Sequence, residues 1–347
     1  MSVTNGRPTL ARVAASAGVS VSTVSKVLNG RSDVGPETRA RVEAILSKLE
    51  YVGRRPDSGG RSSHQQIVEL VFHGELVAYA LEVLQGVLET AAELGVAVVV
   101  SARPRQPGSG PDSPAAWVRR LAAAGRTAVV DVVDDVLAGD LAALSRARLP
   151  LVVIDPLNMP RAQMTSVGAT NFAGGVAATQ HLLSLGHRRI AYLGGEARSS
   201  VNQARMHGYL AAMGAERAEV CDEYVRSGHF LYRDGLVEGL ALLDLPEPPT
   251  AVFVASDESA AGALEAARSR GLQVPQDLSI VGFDDTQVAR TASPPLTTVR
   301  QPLREMGAVA LRTALRLAAG DKLDSHHVEL ATELVVRGST ATPRHEG

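Results

Sequence analysis

Between residues 9 and 50, apolar positions recur at helical spacing in three short runs. Leu10, Val13, Ala14 and Ala17 share one face of a first helix, for which Thr9 is a suitable N-cap. Gly18 can take the left-handed conformation that ends it. Ser20 can cap a second helix, which buries Val24, Val27 and Leu28 and turns Ser22, Ser25, Lys26 and Asn29 outward. A third helix opens at Gly35-Pro36-Glu37, with proline in the first turn, and directs Val42, Ile45, Leu46 and Leu49 inward. From Ile67 the pattern changes. Apolar runs of strand length are expected at 67–72, 96–101, 128–133, 151–154, 190–193, 251–254 and 278–283. Helical stretches are expected at 79–94, 114–124, 173–185, 202–213, 233–243, 259–270 and 303–319. Such alternation predicts parallel sheets with helices on both faces. The stretch is too long for one modest sheet, and two similar lobes with a cleft between them fit better.

The chain has 347 residues, enough for about two domains. It holds no apolar run of about 18 residues, so no membrane span is expected. The first residues, with Arg7 and Arg12, lack the apolar core of a secretory signal. One cysteine, Cys221, leaves no internal disulfide framework and no Cys-rich zinc site. A cytoplasmic location is the expectation. A single Trp117 and 3% aromatic content argue against a stacking surface for single-stranded nucleic acid. The net charge of −2 is unevenly spread: residues 1–62 carry 10 Lys/Arg against 5 Asp/Glu, and the remainder carries 25 against 32. A basic head on an acidic body is the pattern of an electrostatic contact with nucleic acid, although chance alone can produce an asymmetry of this size.

Two short helices joined through Ala14, Ala17, Gly18, Val19 and Ser20 form a helix-turn-helix. Its second helix would present its N-terminal residues to base edges in a major groove. Across residues 9–49 the run TLARVAASAGVSVSTVSKVLNG and its continuation closely resemble the N-terminal signature of the lac repressor/galactose repressor family of bacterial transcription regulators. The resemblance assigns base readout to Val21, Ser22 and Lys26, and backbone anchoring to Thr9, Thr23, Ser25 and Asn29. Two positions depart from the family pattern: Arg12 replaces an aspartate, and Lys26 replaces an arginine. Lysine offers a flexible point charge where arginine forks onto guanine. The resemblance places a hinge helix next, but Gly53, Pro56 and Gly60 oppose helix and no apolar wedge is present. A flexible basic linker is expected over 53–65, with Arg54, Arg55 and Arg61 along phosphates or in the minor groove.

The resemblance continues through LGHRRIAYLGG (185–195), AVFVASDESAAGALEAARSRGLQVPQDLSIVGFDD (251–285) and PPLTTVRQPLREMG (294–307). It implies a small all-α helix-turn-helix head over 1–52 and a two-lobed α/β body over 66–347, like periplasmic binding proteins. The first lobe is expected over about 66–164 and 295–323, the second over about 165–294 and 324–341, with crossings near 164, 295 and 324. Ligands of open α/β sheets bind beyond the carboxyl ends of strands. A sugar there calls for carboxylates and an arginine against its hydroxyls and an aromatic plate against its apolar face. The resemblance assigns these roles to Arg205, Asp284 and Phe230, with Gln301 and Asp155 facing the cleft. His73, Tyr79 and Ser256 complete the expected effector site, Ser256 standing where the family commonly has asparagine. Asp257 and Asp285 can cap the helices that follow them, Asp257 reading equally as cap or ligand contact, and His187 reads as a structural turn residue.

The expected partners are a palindromic operator DNA, a small sugar effector and a second copy of the chain; no catalytic residue, metal or cofactor is expected. Leu81, Leu84 and Leu88 share one helix face and are candidates for the dimer surface, or cover their own sheet. In the family that the chain resembles, tetramers depend on a C-terminal leucine heptad helix; no apolar heptad follows Leu334, so the resemblance implies no tetramer. A solute-binding transport protein is disfavoured by the basic head. A hydrolase using Asp284 and Asp285 is disfavoured because adjacent carboxylates rarely flank one substrate.

Overall fold

The computed structural model describes residues 10–28, 34–48, 65–103, 113–133, 138–158 and 164–344. Thr9, Asn29, Leu49, Arg54 and Arg55, and the expected linker up to residue 64, lie outside the described residues. The chain divides into two units, 1–65 and 66–347.

In the first unit, α1 (Leu10–Ala17), α2 (Val21–Leu28) and α3 (Pro36–Lys48) enclose Val13, Ala14, Ala17, Val24, Val27, Val34 and Val42. Among the described residues, the buried positions of this core are all alanine or valine, so the helices can approach closely. Ile45 and Leu46 pack against its edge. Gly18 adopts φ +64°, a conformation in which a side chain would be strained. Ser20 Oγ accepts the Thr23 N–H at 3.1 Å and so caps α2.

The second unit carries two sheets. In chain order its elements are β1 (Ile67–His73), α4 (Ala78–Leu94), β2 (Ala97–Arg103), α5 (Pro114–Ala123), β3 (Ala128–Val132), α6 (Ala138–Ala147), β4 (Leu151–Ile154), β5 (Thr165–Ala169) and α7 (Asn171–Ser184). There follow β6 (Ile190–Leu193), α8 (Ser200–Ala215), β7 (Val225–Arg226), α9 (Tyr232–Leu243), β8 (Ala251–Val254), α10 (Asp257–Ser269), β9 (Ser279–Asp284) and α11 (Gln287–Thr291). The last are β10 (Thr297–Arg300), α12 (Leu303–Ala319), β11 (His327–Leu330) and β12 (Glu333–Val335). One sheet is ordered β11-β5-β4-β3-β1-β2, the other β12-β10-β9-β8-β6-β7. The strand order is thus the same twice, with β12 antiparallel to β10 where β11 is parallel to β5. Strands β3, β8 and β9 are buried at every position, as parallel strands covered on both faces must be.

Sheet membership moves the lobe crossings. The chain passes between sheets after Ala169, after Arg300 and after Leu330, each a few residues beyond the expected positions near 164, 295 and 324. Strands β5 (TSVGA) and β10 (TTVR) are largely buried, rich in hydroxyls and absent from the strands expected from the apolar pattern. Their hydroxyls are satisfied inside the fold: Thr165 and Ser166 by His326 and His327, and Thr298 by Asp257. The edge strands β11 and β12 and the helices α6 and α11 were likewise not marked by the apolar pattern.

His187 takes the structural role expected of it. Its Nδ1 lies 2.9 Å from Thr250 Oγ1, and its Nε2 lies 2.9 Å from the Ala341 carbonyl, which ties the C-terminal segment to the second sheet. Leu81 and Leu88 are exposed on α4, whereas Leu84 packs against the core of its own sheet.

Candidate functional site

The head presents one polar face of α2. Val21 and Ser22, at the start of the helix, and Lys26, one turn on, are exposed. Thr23 and Ser25 are half-buried beside them. Ser20 Oγ lies 2.7 Å from Ser22 Oγ and 2.8 Å from Thr23 Oγ1, so the capping hydroxyl also fixes the two next to it. A valine exposed at the tip of a helix, with hydroxyls and a cation on the same face, can meet a thymine methyl, base edges and phosphate.

In the body, a cavity of about 310 Å³ opens between the carboxyl ends of the two sheets. His73, Tyr79, Asp155, Arg205, Phe230, Ser256 and Asp284 all line it. Asp155 follows β4, with φ +46°, and Asp284 ends β9, with φ +116°. These are the same strand in the two repeats of the topology, so each lobe offers one aspartate from the equivalent place.

The two aspartates are held differently. The Tyr79 hydroxyl donates to Asp155 Oδ2 at 2.7 Å. Burial pushes the Asp155 carboxyl above its ordinary value, against the pull of Tyr79 and Arg205. Burial also raises the Tyr79 phenol well above its ordinary value, with Asp155 adding to the effect. On the other side, the Arg205 guanidinium lies 3.8 Å from Asp284 Oδ1, and Gln301 Nε2 donates to the same oxygen at 2.7 Å. Burial nevertheless raises Asp284 well above the usual range, Arg205 opposing and Asp257 adding.

Arg205 is itself fixed from several sides. Its Nε donates to Asn171 Oδ1 at 2.8 Å and its Nη1 to the Ala255 carbonyl at 2.6 Å. Its guanidinium stacks 3.8 Å from the centre of the Phe283 ring. Helix α8 reaches this position because Gly175 of α7 has no side chain: a Cβ there would stand 2.3 Å from the Arg205 carbonyl oxygen. Phe230, at φ +64°, lays its ring over Gly195, where a Cβ would come within 2.0 Å of it.

Several sequence assignments change. Gln301 is buried and does not line the cavity; it acts on Asp284 instead. Ser256 lines the cavity, but its Oγ accepts the Ser259 N–H at 3.2 Å and donates to the Phe230 carbonyl at 3.1 Å, so it is the N-cap of α10. Asp257 is therefore neither cap nor cavity wall. It accepts from Thr286 and Thr298 in the core, where burial raises it to about 7. Asp285 faces away from Asp284, binding Arg300 at 2.7 Å and Arg337, and is no N-cap, that position belonging to Thr286. The pair cannot flank one substrate. His73 lines the cavity with its Nε2 2.8 Å from Asp131 Oδ1. Sequence reasoning missed Glu75, Glu196, His229, Arg233 and Glu258 at the cavity wall, because they sit in loops and first turns without a distinguishing pattern. No helix among the described residues is long and apolar enough to cross a membrane.

Comparison with known proteins agrees with this anatomy. Residues 9–53 match the family model described as bacterial regulatory proteins, lacI family, and residues 179–340 match a periplasmic binding protein-like domain. The HTH-type transcriptional regulator CelR of Thermobifida fusca is 34% identical over 342 residues, covering 96% of this chain and 98% of that one. Among solved structures, a transcriptional regulator CelR–cellobiose complex is similar with TM-score 0.72 and 33% identity, covering 96% of this chain and 100% of that one. A lac repressor dimer bound to operator and the anti-inducer ONPF is similar with TM-score 0.79 and 27% identity, covering 97% and 100%. With the helix-turn-helix, the doubled sheet and a full-length relative at this identity, the chain belongs to the lacI family of bacterial regulatory proteins and is a DNA-binding transcriptional regulator.

Proposed function

We propose that this chain is a cytoplasmic repressor of sugar-utilisation genes, without catalytic activity, whose operator affinity is switched by a small sugar bound between the lobes of its body. The observation that carries this reading is the cavity itself. Asp155 with Tyr79 reaches it from one sheet, and Asp284 with Arg205 from the other. A hydroxyl-rich ligand touching both would favour one lobe arrangement over the other, which is how a ligand shifts a conformational equilibrium. The likeness to a regulator solved with cellobiose supports a sugar.

On the DNA side, Val21, Ser22 and Lys26 read bases. Thr9, Thr23, Ser25, Asn29, Arg54 and Arg55 hold the backbone. Two copies of the chain place two such helices in successive major grooves of a palindrome, about 34 Å apart. The lac repressor dimer on its operator supports that arrangement. The exposed Leu81 and Leu88 of α4 supply part of the surface between copies.

The test is operator binding followed by fluorescence anisotropy. A chain lacking residues 1–60 loses the operator and keeps the sugar, because head and body are separate units. Retained operator affinity in that truncation rejects the head assignment. An operator complex that no mono- or oligosaccharide alters rejects the switch.

A further inference from the structure

The first turn of a helix carries N–H groups that find no partner inside the helix. Two helices beside the cavity satisfy the first of these groups from the other lobe. Helix α4, in the first lobe, has Val77 at its N-cap position, and that residue offers no side-chain acceptor. Its first amide, the Ala78 N–H, donates instead to Glu258 Oε1 at 3.1 Å, and Glu258 lies in the first turn of α10 in the second lobe. Helix α8, in the second lobe, is capped by Ser199, but that hydroxyl takes the Asn202 N–H. Its first amide, the Ser200 N–H, donates to the Leu157 carbonyl at 2.6 Å, and Ser200 Oγ donates to the Pro156 carbonyl at 2.7 Å. Pro156 and Leu157 follow β4 in the first lobe.

The two ties are reciprocal, since each lobe supplies one helix start and one acceptor. They are also separate in the fold: α4 follows β1 and Pro156 follows β4, with β3 between those strands. A third contact, from Arg290 Nη2 to Glu82 Oε1 at 3.3 Å, crosses the same boundary, but the Arg290 side chain is 47% exposed and solvent screening leaves such a pair little weight. Both ties adjoin the cavity. Ala78 directly precedes Tyr79, and Pro156 directly follows Asp155, the two residues bonded to each other at the cavity wall.

We infer that the first amides of α4 and α8 form a double latch that holds the two lobes in one arrangement, and that both ties release together when the lobes separate. A ligand bonded to Tyr79 or Asp155 would pull on residues next to the latch. That link to the sugar switch rests on the cavity being the effector site, whereas the latch itself does not.

The experiment is amide hydrogen exchange on the full chain, with neither sugar nor DNA added, resolved to Ala78 and Ser200 by mass spectrometry with fragmentation. In the wild type both amides should be protected, and to a similar degree, because one opening exposes both. Glu258→Ala removes the acceptor of the Ala78 amide and should speed exchange at Ser200 as well, by several-fold. Ser200→Ala removes the hydroxyl bond to Pro156, keeps its own amide, and should speed exchange at Ala78 by several-fold in turn. Unchanged exchange in β8 and melting curves check that both variants fold. Folded variants in which only the amide of the altered tie speeds up would reduce the latch to two independent caps and overturn the inference, as would unprotected amides in the wild type. Failure of the effector reading shows elsewhere, as an operator complex indifferent to every sugar.

Discussion

The two lobes of the body repeat one strand order and place an aspartate at the end of the equivalent strand, yet they restrain it by different chemistry. In the first lobe, Asp155 is held by a neutral phenol, Tyr79, at 2.7 Å. In the second, Asp284 faces a buried guanidinium at 3.8 Å and takes a hydrogen bond from Gln301 at 2.7 Å. The guanidinium is bonded to α7 and to the end of β8 and stacked on Phe283, so the second lobe is organised before a ligand arrives. The first lobe brings a single neutral donor from the first turn of α4. On the proposed reading, the second lobe anchors the ligand and the first responds to what is anchored.

The strongest way to break that comparison is Arg205→Ala. It removes a charged donor and leaves Asp284 without its cation, and should cost on the order of 1.5–3 kcal/mol in sugar affinity. Operator binding should survive, because the head is a separate unit, while the response to sugar disappears. A normal sugar response from this variant would place the anchor elsewhere.

A second test uses pH. Burial raises Asp284 and Asp155 above the ordinary carboxyl value of 3.8, and Asp257 to about 7. The folded body then holds these protons more tightly than the unfolded chain does. Their contribution to stability is present at low pH and is lost as pH rises from about 4 through the raised values. Asp257, raised to about 7, should accordingly make the melting temperature fall between pH 6 and pH 8. Asp284→Asn should flatten this slope more than Asp155→Asn, because the second lobe also packs Asp257 near its aspartate. An equal effect of both variants would remove the distinction between the lobes.

How much of this was legible in the chain depends on the kind of signal. The head was readable because its helices are short, its apolar spacing is clean, and Gly18 and Ser20 mark the turn between them. The central strands were readable because they are continuous apolar runs. Strands β5 and β10 were not, since buried threonine and serine are paid for by partners such as His326, His327 and Asp257, distant in sequence. The same holds in the site. Arg205, Asp284 and Phe230 were found through family resemblance, and they do line one cavity. Glu258, which accepts the Ala78 N–H at 3.1 Å, was not found, because that amide lies 180 residues away in the chain. Gln301, expected to face the cleft, is buried against Asp284, and nothing local in the sequence says that its amide bonds there.

The smallest expected effect belongs to the first lobe. Tyr79→Phe keeps the ring against the core and removes only the hydroxyl that restrains Asp155. Because this hydroxyl is bonded to Asp155 and its loss acts on the ligand through that carboxyl, sugar affinity should fall only a few-fold, about 0.5–1.5 kcal/mol and short of the loss in Arg205→Ala. Asp155 should then titrate higher still, because the donor that favoured its charged form is gone. Sugar affinity in Tyr79→Phe should therefore recover most of its loss as pH rises, whereas Arg205→Ala, which also lets Asp284 and Asp155 rise, should stay well below wild type at either pH because the guanidinium itself is missing. Calorimetric titrations of both variants at pH 6 and pH 8 measure the difference. If Tyr79→Phe proves as damaging as Arg205→Ala at both pH values, the first lobe is an anchor too, and the division of labour between the lobes is lost.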